Sequence, residues 1–366
     1  MATPAETAAM QRALELAAAA LGTSNPNPAV GAVVLSADGA VVGEGGTQQV
    51  GGAHAEIVAL QAAGSAASGG TLVVTLEPCR HVGRTGPCTD AIAAAGVRRV
   101  VFAVGDPHGD AAGGAEVLRA QGVDVESGLL ADEAQATLGP WLTAVRRRRP
   151  HVTWKYAATL DGRTAAPDGT SRWITGAEAR RDVHRLRAAS DAVVVGIGTV
   201  LADDPQLTVR DVPTVRQPLR VVVDGSARTP LSARILDDTA PTLVAVGTDA
   251  QAERVKALRS AGADVLELPR RDARVDLGAL LAELFAREAL LLLLEGGATL
   301  AGSFVRSRLV DRVVGYHAPA LLGAGPPVLG AAGVTTIGEA VRLDVQDVTQ
   351  VGVDVRIDAV LTREGR

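Results

Sequence analysis

The only two cysteines of this 366-residue chain, Cys79 and Cys88, stand in one stretch, TLEPCRHVGRTGPC, residues 75–88. Thiolates are soft ligands, and a catalytic zinc takes three protein ligands and keeps a fourth position for water. Two sulfurs therefore need a third donor, and HAEIVAL offers one: the imidazole of His54, with the Glu56 carboxylate two positions on. Residues two apart do not stack on a helix face. Both can serve one ion only if the helix aims its first turn at the site, with His54 on the metal and Glu56 beside the metal's water. Cys88 follows Pro87 and precedes TDAIAAAG, so it opens a helix whose dipole favours a thiolate. Two blander readings compete, a pair of inert buried thiols and a structural zinc with His81 as fourth ligand.

H-x-E followed by P-C is the order found in zinc deaminases, where the metal lowers the pKa of its water to about 7 and the Glu shuttles a proton to the departing amine. Here eight residues separate the cysteines, where that pattern has two. In the second half, Lys155 and Lys256 are the only lysines among 36 basic residues. A lysine kept beside Tyr156 in KYAATLDG suggests work that a permanently charged, bulky arginine cannot do. LEGGATLAG follows a leucine run and enters a helix, so Gly296 and Gly297 let backbone amides approach a pyrophosphate. Arg187 and Arg210 are candidate phosphate clamps, although Arg187 shares its stretch with Arg180, Arg181 and Arg185 and also reads as part of a solvated face.

The elements that must position these residues are legible. Thr3, Pro4 and Glu6 form a capping box for a first helix. Asp38-Gly39 joins two valine-rich runs as a hairpin. Helices are expected over 54–63, 88–95 and 114–120, and strands over 71–76 and 99–104, giving a largely parallel sheet covered by helices, a three-layer α/β domain. The pattern breaks at an arginine cluster and Pro150, and the boundary is set near 146–150, with domains 1–147 and 150–366. Beyond it, strands at 192–195, 219–223, 242–246, 264–268, 290–294 and 312–316 alternate with helices over 177–189, 250–261 and 277–287, a second α/β domain.

Taken together, NPNPAVGAVV, HAEIVAL, TLEPCRHVGRTGPC and DPH, then KYAATLDGRTA, SRWITGAEAR, VLADDPQLTVR and LEGGATLAG, resemble in order the bifunctional deaminase/reductase family of riboflavin biosynthesis. The long cysteine spacing is that family's own. The resemblance implies a cytidine-deaminase-like first domain and a dihydrofolate-reductase-like second. It implies zinc-dependent deamination of 2,5-diamino-6-ribosylamino-4(3H)-pyrimidinone 5′-phosphate, then NADPH reduction of the ribosyl group to ribityl. Metal ligands carry over onto His54, Cys79 and Cys88, and catalytic groups onto Glu56 and Lys155. Cofactor positions carry over onto Ala158, Trp173, Thr199 and Asp203, and onto the loop Gly297, Ala298, Thr299, Leu300, Ala301, Gly302 and Ser303. Ser226, with Arg228, is a candidate reader of the cofactor's 2′-phosphate. Asn27, Ser171, Arg187, Leu207, Arg210 and Glu295 match substrate positions. The chain departs from the pattern at Thr47, where a histidine is usual, at Gly86, where proline is commoner, and at His108, where asparagine is.

Formal charge is −5 and aromatic residues make up 2 % of the chain, which argues against a polynucleotide partner. No apolar run reaches the roughly 20 residues of a spanning helix, and the alanine-rich N-terminal segment, interrupted by Glu6 and Glu15, does not read as a signal peptide. A cytoplasmic protein without nucleic-acid or membrane partners is expected, and the resemblance adds a homo-oligomer. Two alternatives stay open: that only one domain is competent, and that the first is a zinc-stapled module binding pyrimidines or RNA.

Overall fold

The computed structural model describes residues 1–81, 86–109 and 111–362, which form two compact units, Met1–Arg148 and Arg149–Arg366. In the first, α1 (Pro4–Ala20) starts at the Thr3 capping box. Then follow β1 (Gly31–Leu35), β2 (Val41–Gly46), α2 (Ala55–Ala63), β3 (Thr71–Leu76), α3 (Cys88–Ala94), β4 (Arg99–Val104), α4 (Gly114–Ala120), β5 (Asp124–Ser127) and α5 (Ala131–Arg147). The sheet order is β2-β1-β3-β4-β5. Strands β3 to β5 are parallel, as the alternating pattern predicts, but β1 runs antiparallel to both β2 and β3. The short Asp38-Gly39 turn can join only antiparallel neighbours, so this half of the sheet departs from the parallel expectation.

The arginine cluster at the break starts in the last turn of α5, a 17-residue helix that ends at Arg147 with Arg148 as its C-cap. Its buried residues, Ala134, Leu138, Trp141, Leu142 and Ala144, line one stripe, and Arg146 and Arg147 meet the negative end of its dipole. Trp141 Nε1 donates to the Pro26 carbonyl at 3.0 Å, which ties the Asn27 segment to this helix.

The second unit runs β6 (His151–Thr159), α6 (Ala177–Ala188), β7 (Ala192–Gly196), α7 (Ile197–Asp203), β8 (Leu219–Val223), β9 (Thr242–Gly247), α8 (Ala252–Ser260) and β10 (Asp264–Leu268). It continues with the short hairpin β11 (Arg270–Arg271) and β12 (Arg274–Val275), α9 (Leu277–Ala286), β13 (Leu291–Leu294), α10 (Ala298–Arg306), β14 (Arg312–Ala318), β15 (Leu343–Val351) and β16 (Asp354–Leu361). The main sheet order is β10-β9-β8-β7-β13-β6-β14-β16-β15. It is parallel from β10 to β14, and β16 and β15 are antiparallel additions. The all-leucine β13 sits between β7 and β6, where burial on both faces suits an uninterrupted apolar run. Buried clusters cover both faces of this sheet. Strand β15 escapes a reading by pattern because charged and apolar residues mix in LDVQDVTQV without a buried face, and in β16 two of the buried residues, Asp354 and Asp358, are acidic.

Candidate functional sites

His54 caps α2, Cys88 is the first residue of α3, and Cys79 lies in the loop that leaves β3. These three converge: His54 Nδ1 is 3.3 Å from Cys88 Sγ and 3.5 Å from Cys79 Sγ, and all three donor atoms lie within 4.8 Å of one another. Zinc–sulfur and zinc–nitrogen bonds of about 2.3 and 2.0 Å put tetrahedral donors roughly 3.5–3.8 Å apart, so the constellation fits a zinc ion. The Thr89 amide, in the first turn of α3, donates to the Cys79 carbonyl at 3.2 Å and joins the two sulfur-bearing segments. Cys88 donates toward Cys79 and holds the Cys79 thiol below its ordinary range, while the same contact and burial push Cys88 up. Glu56 is buried, and desolvation raises its carboxyl. His81 is not part of this cluster, so the four-ligand structural zinc loses its fourth donor; residues 82–85 of the intervening loop lie outside the described residues.

Residues that motif reasoning missed hold this loop. The Glu77 carboxylate accepts amides from Asp106, Gly113 and Ala115 at 3.2, 3.2 and 3.0 Å, which fastens the segment after β4 and the start of α4 to the stretch carrying Cys79. Gly114 lies so close that a Cβ there would fall 1.8 Å from the Pro78 carbonyl oxygen. The only sequence signal for either residue was position, an acid two places before a ligand and a glycine opening a helix. Thr47 is buried, and its hydroxyl accepts the Val30 amide at 3.1 Å, so it serves the backbone. His108 and Gly86 are exposed, and Asn27 is partly buried.

In the second unit, the parallel register pairs Leu294 with Trp154, so the next residues, Glu295 and Lys155, stand level on neighbouring strands. Lys155 Nζ is 3.7 Å from Glu295 Oε2, with side-chain exposures of 15 % and 8 %. Arg187 joins them from α6: Nε and Nη2 reach the two Glu295 oxygens at 2.6 and 3.0 Å, and Nη1 reaches the Thr208 carbonyl at 3.0 Å. All three guanidinium nitrogens are thus engaged by protein, whereas Arg210, exposed, uses only Nη1 on Thr208 Oγ1 at 2.7 Å. Burial lowers Lys155, and its nearness to Arg187 lowers it further against the opposing pull of Glu295. Leu207 is buried at φ +54° in a segment clamped where Gln206 and the fully buried Arg220 both bond Asp237.

A cavity of about 490 Å³ opens beside α10, bounded by Gly196 at the end of β7, Gly198 in the first turn of α7, the Ser226 loop after β8 and the β11–β12 hairpin. Ser226, Thr299, Leu300 and Ser303 line it. Thr199 Oγ1 accepts the Gly297 amide at 3.2 Å, and the helix then begins at Ala298 with its first amides outside the intrahelical ladder. Ala301 lies in the core, and Gly302 packs against the backbone at Ala331, so these two stand outside the lining. Ala158 is buried, Asp203 accepts Arg172 through its carbonyl at 2.9 Å, and Ser171 is partly buried. Trp173 is 70 % exposed, with the Arg180 guanidinium 4.5 Å from its ring centre.

Residues 4–104 match the cytidine and deoxycytidylate deaminase zinc-binding region, and residues 150–357 match the RibD C-terminal domain. The riboflavin biosynthesis protein RibD of Mycobacterium tuberculosis H37Rv is 44 % identical over 356 residues, 96 % of either chain. The chain belongs to the RibD family. The Escherichia coli K12 member is 40 % identical over 365 residues, covering 96 % of this chain and 98 % of that one. Among solved structures, Acinetobacter baumannii RibD is 38 % identical with a TM-score of 0.88, and a Thermotoga maritima deaminase/reductase is 33 % identical with a TM-score of 0.85; each match covers 98 % of this chain and 99 % of the other. The resemblance read from the motifs is therefore correct. Like its RibD relatives, the chain is a bifunctional enzyme that joins a zinc-binding deaminase domain to a reductase domain.

Proposed function

We propose that residues 1–147 deaminate 2,5-diamino-6-ribosylamino-4(3H)-pyrimidinone 5′-phosphate and that residues 150–366 then reduce its ribosyl group to ribityl with NADPH. The observation that carries this reading is one chain holding both a His54–Cys79–Cys88 donor cluster next to buried Glu56 and a buried Lys155–Glu295–Arg187 group. His54, Cys79 and Cys88 hold zinc, which when bound lets water attack near neutral pH. In the deamination a C–O bond forms, a C–N bond breaks, and Glu56 carries the proton from water to the departing amine. Burial raises the Glu56 carboxyl, which makes its carboxylate a stronger base toward the attacking water, and the more basic departing amine then takes the proton from it.

Ser226, Thr299 and Ser303 line the cavity that would hold NADPH, whose hydride would go to C1′ as the C1′–O4′ bond breaks, leaving O4′ in need of a proton. We assign that proton to Lys155, whose lowered pKa makes it a better donor and whose position depends on Glu295 and, through Glu295, on Arg187. Arg210, with free guanidinium nitrogens, is the principal phosphate contact, and Arg187 serves as a positioning residue for Glu295 and Thr208. Purified zinc-loaded protein given the diamino substrate and NADPH is expected to release ammonia and oxidise NADPH. Glu56→Gln abolishes the first, by roughly 100-fold or more, and Lys155→Ala the second. Ammonia release that survives Glu56→Gln unchanged defeats the assignment.

The chain also carries a surface suited to self-association. Eight of the nine β15 residues are exposed at the edge of the nine-stranded sheet, with Val345 at 58 % and Val348 at 61 %. An open edge of this length that also exposes Leu343, Val345 and Val348 is normally covered. We infer a homo-oligomer formed through β15, checked by light scattering of the wild type and Val345→Glu/Val348→Glu; a wild-type monomer overturns it. A reducing, cytoplasmic setting suits the free thiols Cys79 and Cys88, and the net charge of −5 disfavours nucleic acid.

A further inference from the structure

The cavity beside α10 carries arginines that the proposed proton and hydride chemistry leaves without a role: Arg228, Arg270, Arg271, Arg274 and Arg306. Their surroundings distinguish them. Arg270 is engaged at every nitrogen, Nε on Asp249 at 2.5 Å, Nη1 on the Ala273 carbonyl at 2.9 Å and Nη2 on the Gly225 carbonyl at 2.7 Å, so it pins the β11–β12 hairpin to the loop after β8. The Arg271 side chain is 76 % exposed, with only a distant Asp276 at 3.7 Å. Arg306 lays its stem over Gly333.

Arg274 is held differently. Its Nη1 donates to Ser303 Oγ at 2.6 Å, and Ser303, 6 % exposed, is itself fixed by donating to the Thr299 carbonyl at 3.0 Å. Nε and Nη2 have no protein acceptor among the described residues. A planar fork anchored at one corner on a cavity wall, with two donors left over, suits bidentate capture of an oxyanion.

The acid at the neighbouring strand end points to which oxyanion. In open α/β dinucleotide sites an acid there takes the ribose 2′-hydroxyl of the unphosphorylated cofactor, and a nearby arginine replaces it where a 2′-phosphate is read. Asp224 directly follows β8 and is fully buried. Its Oδ2 accepts the Thr229 amide and hydroxyl at 2.7 and 2.8 Å, and its Oδ1 is enclosed without a partner. The carboxylate is thus held inside its own loop, while Ser226 and Arg228 stand exposed at the cavity.

We propose that Arg274, seated on Ser303 and assisted by Arg228 and Ser226, is the residue by which the reductase unit selects a 2′-phosphorylated nicotinamide dinucleotide over the unphosphorylated one. This rests on the NADPH reading above. Calorimetric titration of the full chain with NADPH, NADH and adenosine 2′,5′-bisphosphate tests it without turnover. In Arg274→Met, affinity for NADPH and the bisphosphate falls roughly 10- to 100-fold while NADH changes by less than about threefold. Ser303→Ala, which removes no charge, gives a smaller loss in the same two ligands and keeps the test open if Arg274→Met fails to fold. Equal loss of NADPH and NADH assigns Arg274 to the pyrophosphate and overturns the proposal, as does no loss at all. Wild-type protein that binds none of the three ligands overturns the NADPH reading itself, a separate result.

Discussion

At the scale of single residues, the charges that matter are buried and few. Burial alone pushes the Glu295 carboxyl up, but the charges of Arg187 and Lys155 outweigh it and bring the group down to about 2. A carboxylate whose folded pKa lies below its unfolded value, about 4.3, stabilises fully above that value and loses its contribution as pH falls through the folded one. The contribution is on the order of 3 kcal/mol from the size of that gap. The stability difference between wild type and Glu295→Gln, measured by urea unfolding, is therefore expected to shrink by about that amount between pH 5 and 2. A difference that stays constant over this range would show that Glu295 is not held ionised by its partners. At this scale the donor set of the first site was legible, because cysteines are scarce and H-x-E is a compact pattern. The role of Arg187 was not, since a run of four arginines on α6 gives no hint which one turns inward to Glu295.

At the scale of elements, the zinc ligands depend on packing between segments far apart in the chain. The start of α4 abuts the Pro78 carbonyl, one residue from Cys79, with no room for a side chain at Gly114. Gly114→Ala must push backbone against backbone and move the Cys79 loop. Its zinc affinity is expected to fall roughly 10- to 100-fold, with a lowered melting temperature, as disturbing the support of a ligand typically does; a competition titration that finds wild-type affinity would show that the loop tolerates the shift. Caps and strand lengths in this unit were readable from local chemistry, and α2, β3, α3 and β4 begin and end within one residue of the pattern. α5 escapes the sequence reading because a polar arginine tail masks an amphipathic stripe, one of whose contacts, Trp141 with the Pro26 carbonyl, is remote in sequence.

At the scale of the whole molecule, each unit has its own sheet and its own candidate site. Removing zinc with a chelator is expected to abolish ammonia release while leaving reduction of the already deaminated substrate unchanged, read as NADPH oxidation. Loss of both would make the metal a support for the entire chain. The sequence by itself determined the candidate donor set and most of the strands, because these rest on residue type, local spacing and periodicity, and its ordered motifs carried the family resemblance that assigns a chemistry to each half. Only the tertiary structure decided that Glu77 and Gly114 brace the Cys79 loop, that Arg274 meets Ser303 while Arg270 is consumed in a hairpin, and that β15 lies bare at a sheet edge. Those outcomes depend on which distant segments come to lie side by side, and a local pattern carries no record of its neighbours across the fold.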